Sequence, residues 1–188
     1  MTQPAPSYEH QTARGAVLIR PTREGDAAAF RALRLEGLLR HPPVFGSDHD
    51  QSAALPDSHW RQRVADGAGG PSGVLYVAEA GGQLIGSSAV AREASPKLHH
   101  NGLLVGVYLR DEWRGLRLAD ALVEACIAWA AGQGMRALRL SVLTENITAI
   151  RCYVRCGFAV YGVDPEAIAW GGRYYDELLM IRRLEQNT

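Results

Sequence analysis

An excess of charge of either sign is missing from this chain. Lys plus Arg and Asp plus Glu both number 20, so the formal net charge is zero and the pI about 7.0. A nucleic-acid binder carries a basic excess on one face, and the balance therefore argues against DNA or RNA as the partner. No apolar run approaches the ~20 residues of a membrane-spanning helix. The opening MTQPAPSYEHQTARG shows no basic-then-apolar signal pattern. A cytoplasmic protein without a membrane partner is expected. Cysteine is scarce: only Cys126, Cys152 and Cys156 occur. Cys152 and Cys156 share a helix face, but no nearby His or second Cys pair completes a metal-ligand spacing. They read as reduced packing residues, and no metal is expected. Repeats, low-complexity blocks and linkers are also missing. The expected organisation is a disordered tail over 1–14 and one domain over 15–188, a length that suits one substantial core.

The chain is organised around the stretch from Val105 to Phe158. Leu103 to Leu109 is an apolar, β-favouring run that predicts a strand buried on both faces. An Arg-Gly turn follows. Leu118, Ala121, Leu122, Ala125 and Trp129 then recur at helical spacing, and Gly132 and Gly134 bracket the helix end. Leu138, Leu140 and Val142 alternate with Arg139 and Ser141 as in a half-buried strand. Strand, crossover helix and strand make a right-handed βαβ unit with parallel strands. A short helix opens at Asn146 and closes at Gly157.

Elsewhere, Ala16 to Arg20 predicts a first strand, and Thr22 or Asp26 the cap of a helix carrying Phe30, Leu33, Leu35 and Leu38. A long Pro-, Gly-, Ser- and Asp-rich loop leads to a second helix over Pro56 to Ala65. Val74 to Ala80 and Leu84 to Ala91 read as strands joined by Gly81-Gly82. Phe158 to Val163 and Tyr174 to Leu184 read as strands with a loop between them. The class is mixed α/β.

The central stretch resembles the GNAT acyltransferases, which move an acyl group from coenzyme A to an amine. Their pyrophosphate motif reads Gln or Arg, two residues, Gly, one residue, then Gly or Ala. Arg114, Gly115, Leu116, Arg117, Leu118 and Ala119 occupy it here. Arg114 and Ala119 fit, Gly115 is the additional glycine common after the Arg, and Arg117 replaces the middle glycine. The second motif is Asn146 followed seven residues later by Tyr153, within ENITAIRCYVRCGF. The resemblance runs from about Val17 to Leu184. It implies a central, mostly antiparallel sheet with a parallel βαβ core and helices on both faces.

It also implies acetyl-CoA as co-substrate. The backbone of Val107, Tyr108 and Leu109 would hold the pantetheine arm and the oxyanion, and the amides from Gly115 through Asp120 the pyrophosphate. Free N–H groups and a partial positive charge suit any helix N-terminus to phosphate. Each residue also has a plain structural reading: core strand for Val107 to Leu109, a strand-to-helix turn for Gly115, a solvated cation for Arg117. Asp120 reads as a first-turn acid complementing the helix dipole, so only its backbone is assigned. Arg117 must point its side chain away from the anion or toward a phosphate.

Asn146 reads as an N-cap, to which the resemblance adds contact with the coenzyme arm. Tyr153 lies two helical turns on, on nearly the same face. An isolated tyrosine would be a packed aromatic. Its spacing from Asn146 favours a general acid for the leaving thiolate. The base stays open among His100, His49, Asp50 and Asp176, with Glu79 a poorer choice. Tyr174, Tyr175 and Asp176 line an acceptor pocket or simply begin a strand. The expected acceptor is a small-molecule or peptide amine. The resemblance allows a homodimer, which no sequence feature specifies. One rival is a non-catalytic acyl-CoA sensor, prompted by Arg117. The other is a nucleotide-binding Rossmann domain, which lacks its glycine-rich first turn here.

Overall fold

The computed structural model describes residues 5–185. Its strands are β1 (Tyr8–Thr12), β2 (Gly15–Pro21), β3 (Gly73–Ala80), β4 (Gln83–Arg92), β5 (Asn101–Leu109), β6 (Ala137–Leu143), β7 (Ala159–Trp170) and β8 (Arg173–Arg183). They form one eight-stranded sheet in the order β1-β2-β3-β4-β5-β6-β8-β7. Every neighbouring pair is antiparallel except β5 with β6. The helices are α1 (Ala27–Arg40), α2 (His49–Ala53), α3 (Asp57–Asp66), α4 (Leu118–Gly132) and α5 (Ile147–Arg155). The mixed class, the single parallel pair and the helices on both faces agree with the sequence.

The crossover helix α4 packs Leu118, Leu122, Ala125 and Trp129 against Val17, Tyr76, Leu104 and Leu138 on one face of the sheet. Truncating such a fully buried leucine to alanine costs about 2–5 kcal/mol. On the other face, Phe30 and Leu33 of α1 and Trp60 and Val64 of α3 cover Leu75, Val77, Leu84 and Tyr108. α4 ends as the glycine spacing predicts, with Gly134 at φ 71°. Among the described residues no helix is long and apolar enough to cross a membrane.

Four expectations are corrected. Tyr8–Thr12, placed in a disordered tail, forms β1 and pairs with β2 from Tyr8↔Ile19 to Thr12↔Gly15; residues 1–4 lie outside the described set. β5 is not buried on both faces: Leu103 is 40% and Val105 36% exposed, because α1 and α3 lie over β3, β4 and the far part of β5. The loop expected after Val163 is strand, since β7 continues to Trp170 through an irregularity between Asp164 and Ile168. Its Asp164-Pro165 pair disguises it. Of the two caps expected for α1, Asp26 does stand at the N-cap but makes no side-chain bond to the helix, since its carboxylate accepts from Arg20 at 2.6 Å and from the Arg23 N–H at 2.7 Å; Thr22 lies outside, its hydroxyl donating to the Val64 carbonyl at 2.8 Å.

Candidate active site

β5 and β6 run together for only three pairs, Asn101↔Ala137, Gly102↔Leu138 and Leu103↔Arg139. Beyond Leu103 they part. β5 stays with β4 as far as Leu109, and β6 stays with β8 as far as Leu143. A V-shaped opening results, and one edge of β5 faces it without a strand partner. Such an edge receives another extended chain through its free backbone groups. The β4–β5 pairing also slips between Ser87↔Tyr108 and Ala89↔Val105, so β5 carries one extra residue there. Gly106 absorbs it at φ 65°, in the left-handed region, and its carbonyl accepts from the Ser87 hydroxyl at 3.1 Å.

The chain leaves β5 through a 3-10 turn, Asp111–Trp113, and enters α4 by way of Gly115 at φ 79°. Arg114 fixes this turn: its Nε donates to the Leu109 carbonyl at 3.3 Å, and its guanidinium pairs with Asp111 at 2.9 Å. Arg117 is the N-cap, at φ 61° and ψ 13°. An L-residue in that region costs about 1–2 kcal/mol, so Arg117 adopts the backbone that a glycine would adopt freely. Its side chain bends back to Asp120 at 3.0 Å. The α4 ladder starts with the Ala121 N–H donating to the Arg117 carbonyl at 3.1 Å. The N–H groups of Leu118, Ala119 and Asp120 therefore have no partner inside the helix.

Asp120 is also gripped by Arg155 of α5, at 2.8 and 2.6 Å. That guanidinium, more than the Cys152 thiol and Arg117, holds the carboxyl well below the usual carboxylate range against the opposing effect of burial. Asp120, Cys152 and Cys156 have donor atoms within 4.8 Å of one another. The carboxylate is already committed to two arginines. Hydrogen bonding to Cys156, then burial, pushes the Cys152 thiol up.

Asn146 caps α5, its side chain accepting from the Ala149 N–H at 3.2 Å. Tyr153 is 8% exposed and packs edge-on to Phe158 with ring centroids 6.0 Å apart. Burial raises its pKa and keeps the phenol protonated. Its hydroxyl makes no hydrogen bond to another described residue, yet it is not among the polar atoms sealed from solvent without a partner.

The Tyr108 side chain turns to the α1 side instead. Its hydroxyl donates to Glu36 Oε1 at 3.0 Å, while Arg110 binds Oε2 at 3.0 Å. Burial first, then Glu36, pushes its pKa up to about 12. The rings of His41 and Phe45 flank it at 6.2 and 6.5 Å. Sequence reading missed Glu36 because an acid inside a helix of mixed polarity has no distinguishing spacing. The candidate bases do not converge on the opening. His100 adjoins Asn101 at the closed end of the V, and His49 pairs with exposed Asp50 at 2.8 Å. Asp176 accepts from the Glu166 N–H at 2.8 Å, and Glu79 is bound by Arg20 at 2.7 Å. Tyr174 is exposed, and the Tyr175 ring lies under Arg173.

Comparison with known proteins gives concordant findings. The family model described as acetyltransferase (GNAT) family matches residues 35–158. An aminoglycoside N(6')-acetyltransferase type 1 of Stenotrophomonas maltophilia is 30% identical over 76% of this chain and 86% of its own length. An L-amino acid N-acetyltransferase of Escherichia coli is 26% identical over 68% of this chain and 77% of its own. A solved structure from Salmonella typhimurium, a putative acetyltransferase with its cofactor acetyl-CoA, superposes with TM-score 0.80 at 18% identity, covering 92% of this chain and 96% of that one.

Proposed function

Because this chain belongs to the GNAT acetyltransferase family, we propose that it transfers an acetyl group from acetyl-CoA to a primary amine by direct attack of the amine on the thioester. The observation that carries this reading is the parting of β5 and β6 beyond Leu103, beside the N-terminus of α4. An extended pantetheine arm fits the free edge of β5 at Val107, Tyr108 and Leu109, as an added strand would. The Gly106 carbonyl turns toward β4, so the N–H of Val107, on the opposite side of the same trans peptide, turns toward the opening. Its N–H stabilises the oxyanion of the tetrahedral intermediate.

Arg114 shapes the turn, and the amides of Gly115, Leu116, Arg117, Leu118, Ala119 and Asp120 receive the pyrophosphate. Asp120 presents only its backbone, because its carboxylate is held by Arg155 and Arg117. Asn146 lies at the start of α5, flanking the coenzyme arm. The neutral amine attacks the carbonyl carbon, the C–S bond breaks, Tyr153 gives its phenolic proton to the departing thiolate, and the amine nitrogen releases its own proton to solvent. A solvent-derived proton restores it. The acceptor is an amine on a small molecule or peptide. The relatives above are named for acetylating amino acids and aminoglycosides, which supports a small amine.

The test is calorimetric acetyl-CoA binding together with thiol release over an amine library, for the wild type and Tyr153→Phe. Binding by both, with turnover in the wild type reduced about 100-fold or more in the variant at unchanged KM for acetyl-CoA, is the expected result. Binding without turnover on any amine would instead identify a sensor of acyl-CoA, and no binding would remove the coenzyme site.

A further inference from the structure

At the closed end of the V, on the sheet face opposite α4, lies a hollow of about 320 Å³ lined by His100, Asn101, Arg136, Ala137, Arg139 and Arg183, with Ile181 and Leu184 at its edge. Its construction follows from register. Asn101, Ala137 and Arg183 stand side by side on β5, β6 and β8, and Leu103, Arg139 and Ile181 form the next row. Ala137 is short, so the row of three dips in the middle. Arg139 and Arg183 occupy diagonal positions on adjacent strands beside that dip, where long side chains reach one another. Arg136 and His100 precede β6 and β5, joined by the Arg136 N–H donating to the His100 carbonyl at 2.7 Å.

The electrostatics are one-sided. No acid lines the hollow. Among the described residues the side chains of Arg136, Arg139 and Arg183 make no salt bridge, in contrast with Arg20, Arg110, Arg114, Arg155 and Arg182. Guanidinium groups gathered on adjacent strands repel one another, and a chain of zero net charge has acids enough to neutralise them elsewhere. An anion between them removes the repulsion and offers Arg the forked hydrogen bonding that phosphate matches. Lys could not supply that geometry.

We infer that this hollow is a second anion site, for a phosphate or pyrophosphate group of a small ligand, separate from the N-terminus of α4. Asn101, 3% exposed, holds the floor beside His100, with its Nδ2 3.1 Å from the imidazole Nε2. The three arginines supply the charge, and the small side chain of Ala137 the room. The inference stands on the sheet register and does not depend on acetyl transfer.

The experiment titrates inorganic pyrophosphate by calorimetry with coenzyme A at saturation, so that any site at α4 is already filled. The proteins are the wild type and Arg139→Gln/Arg183→Gln. One pyrophosphate per chain should bind the wild type, and the double variant should bind at least tenfold more weakly. Pyrophosphate should raise the melting temperature of the wild type relative to chloride at equal ionic strength, and not that of the variant. Without pyrophosphate the variant should melt no lower than the wild type, because repulsion has been relieved. Absent binding, equal binding by both proteins, or a variant that melts lower without the anion would each overturn the proposal, the last by showing that the arginines are structural.

Discussion

The Arg155 guanidinium holds the Asp120 carboxylate through two hydrogen bonds of 2.8 and 2.6 Å, tying the first turn of α4 to the last turn of α5. One of these turns offers free amides for a pyrophosphate, and the other helix carries Tyr153. A carboxylate in the first turn also complements the helix dipole. Without Arg155 the same charge would stand against the pyrophosphate proposed to bind there.

Arg155→Ala should therefore weaken acetyl-CoA binding several-fold, and Asp120→Asn in the same background should restore it. Calorimetry on the four proteins of this double-mutant cycle measures the coupling. A pH series checks the sign. Asp120 is held below its unfolded value of about 3.9, so its contribution to stability is present above that pH and lost as the pH falls toward the folded value. The stability gap between wild type and Arg155→Ala should close on acidification.

Arg117→Gly should leave acetyl-CoA binding within about tenfold of the wild type, since the proposed phosphate ligands are backbone amides and the side chain is 65% exposed. Its stability should change by less than about 1 kcal/mol. Relief of the left-handed backbone and greater freedom of the unfolded chain act in opposite directions. Denaturant unfolding together with calorimetry reads both.

Glu36→Gln should lower the pKa of Tyr108 from about 12 toward the ordinary tyrosine value, because the carboxylate that opposes a phenolate is gone. In the wild type the raised value stabilises the fold fully below pH ~10, and that contribution is lost as the pH rises through about 12. Ultraviolet difference titration should show one tyrosine ionising earlier in the variant.

Gly106→Ala should cost about 1–2 kcal/mol. The cost is conformational, because φ is 65° and no atom lies within 4 Å of the added methyl group. If the strand flattens in response, turnover should fall more than acetyl-CoA affinity, because the bulge aims the Val107 amide. Thermal unfolding and steady-state kinetics separate the two effects.

Much of the candidate site could be read along the chain. The strand-to-helix turn at Arg114 and Gly115, the α4 stripe, the Asn146 cap and the Tyr153 spacing are local patterns, each contained within a few turns of helix or strand. The aspartate and proline of β7, Asp164 and Pro165, misled for the same reason. They resemble a loop until Tyr174 and Tyr175 pair with Ala169 and Ile168 from the other side.

The sequence by itself determined the central segments, the parallel βαβ unit and the two motifs, because hydrophobic period, capping and glycine placement act between near neighbours. Tertiary structure decided where β5 and β6 part, that Arg117 takes a glycine's backbone and turns to Asp120, and that Glu36 meets Tyr108. It also gathered Arg136, Arg139 and Arg183 around Ala137. Asp120 and Arg155 are 35 residues apart, and Glu36 and Tyr108 are 72 apart. Contacts at such separations depend on how the sheet twists and how the helices dock, and no local spacing encodes them.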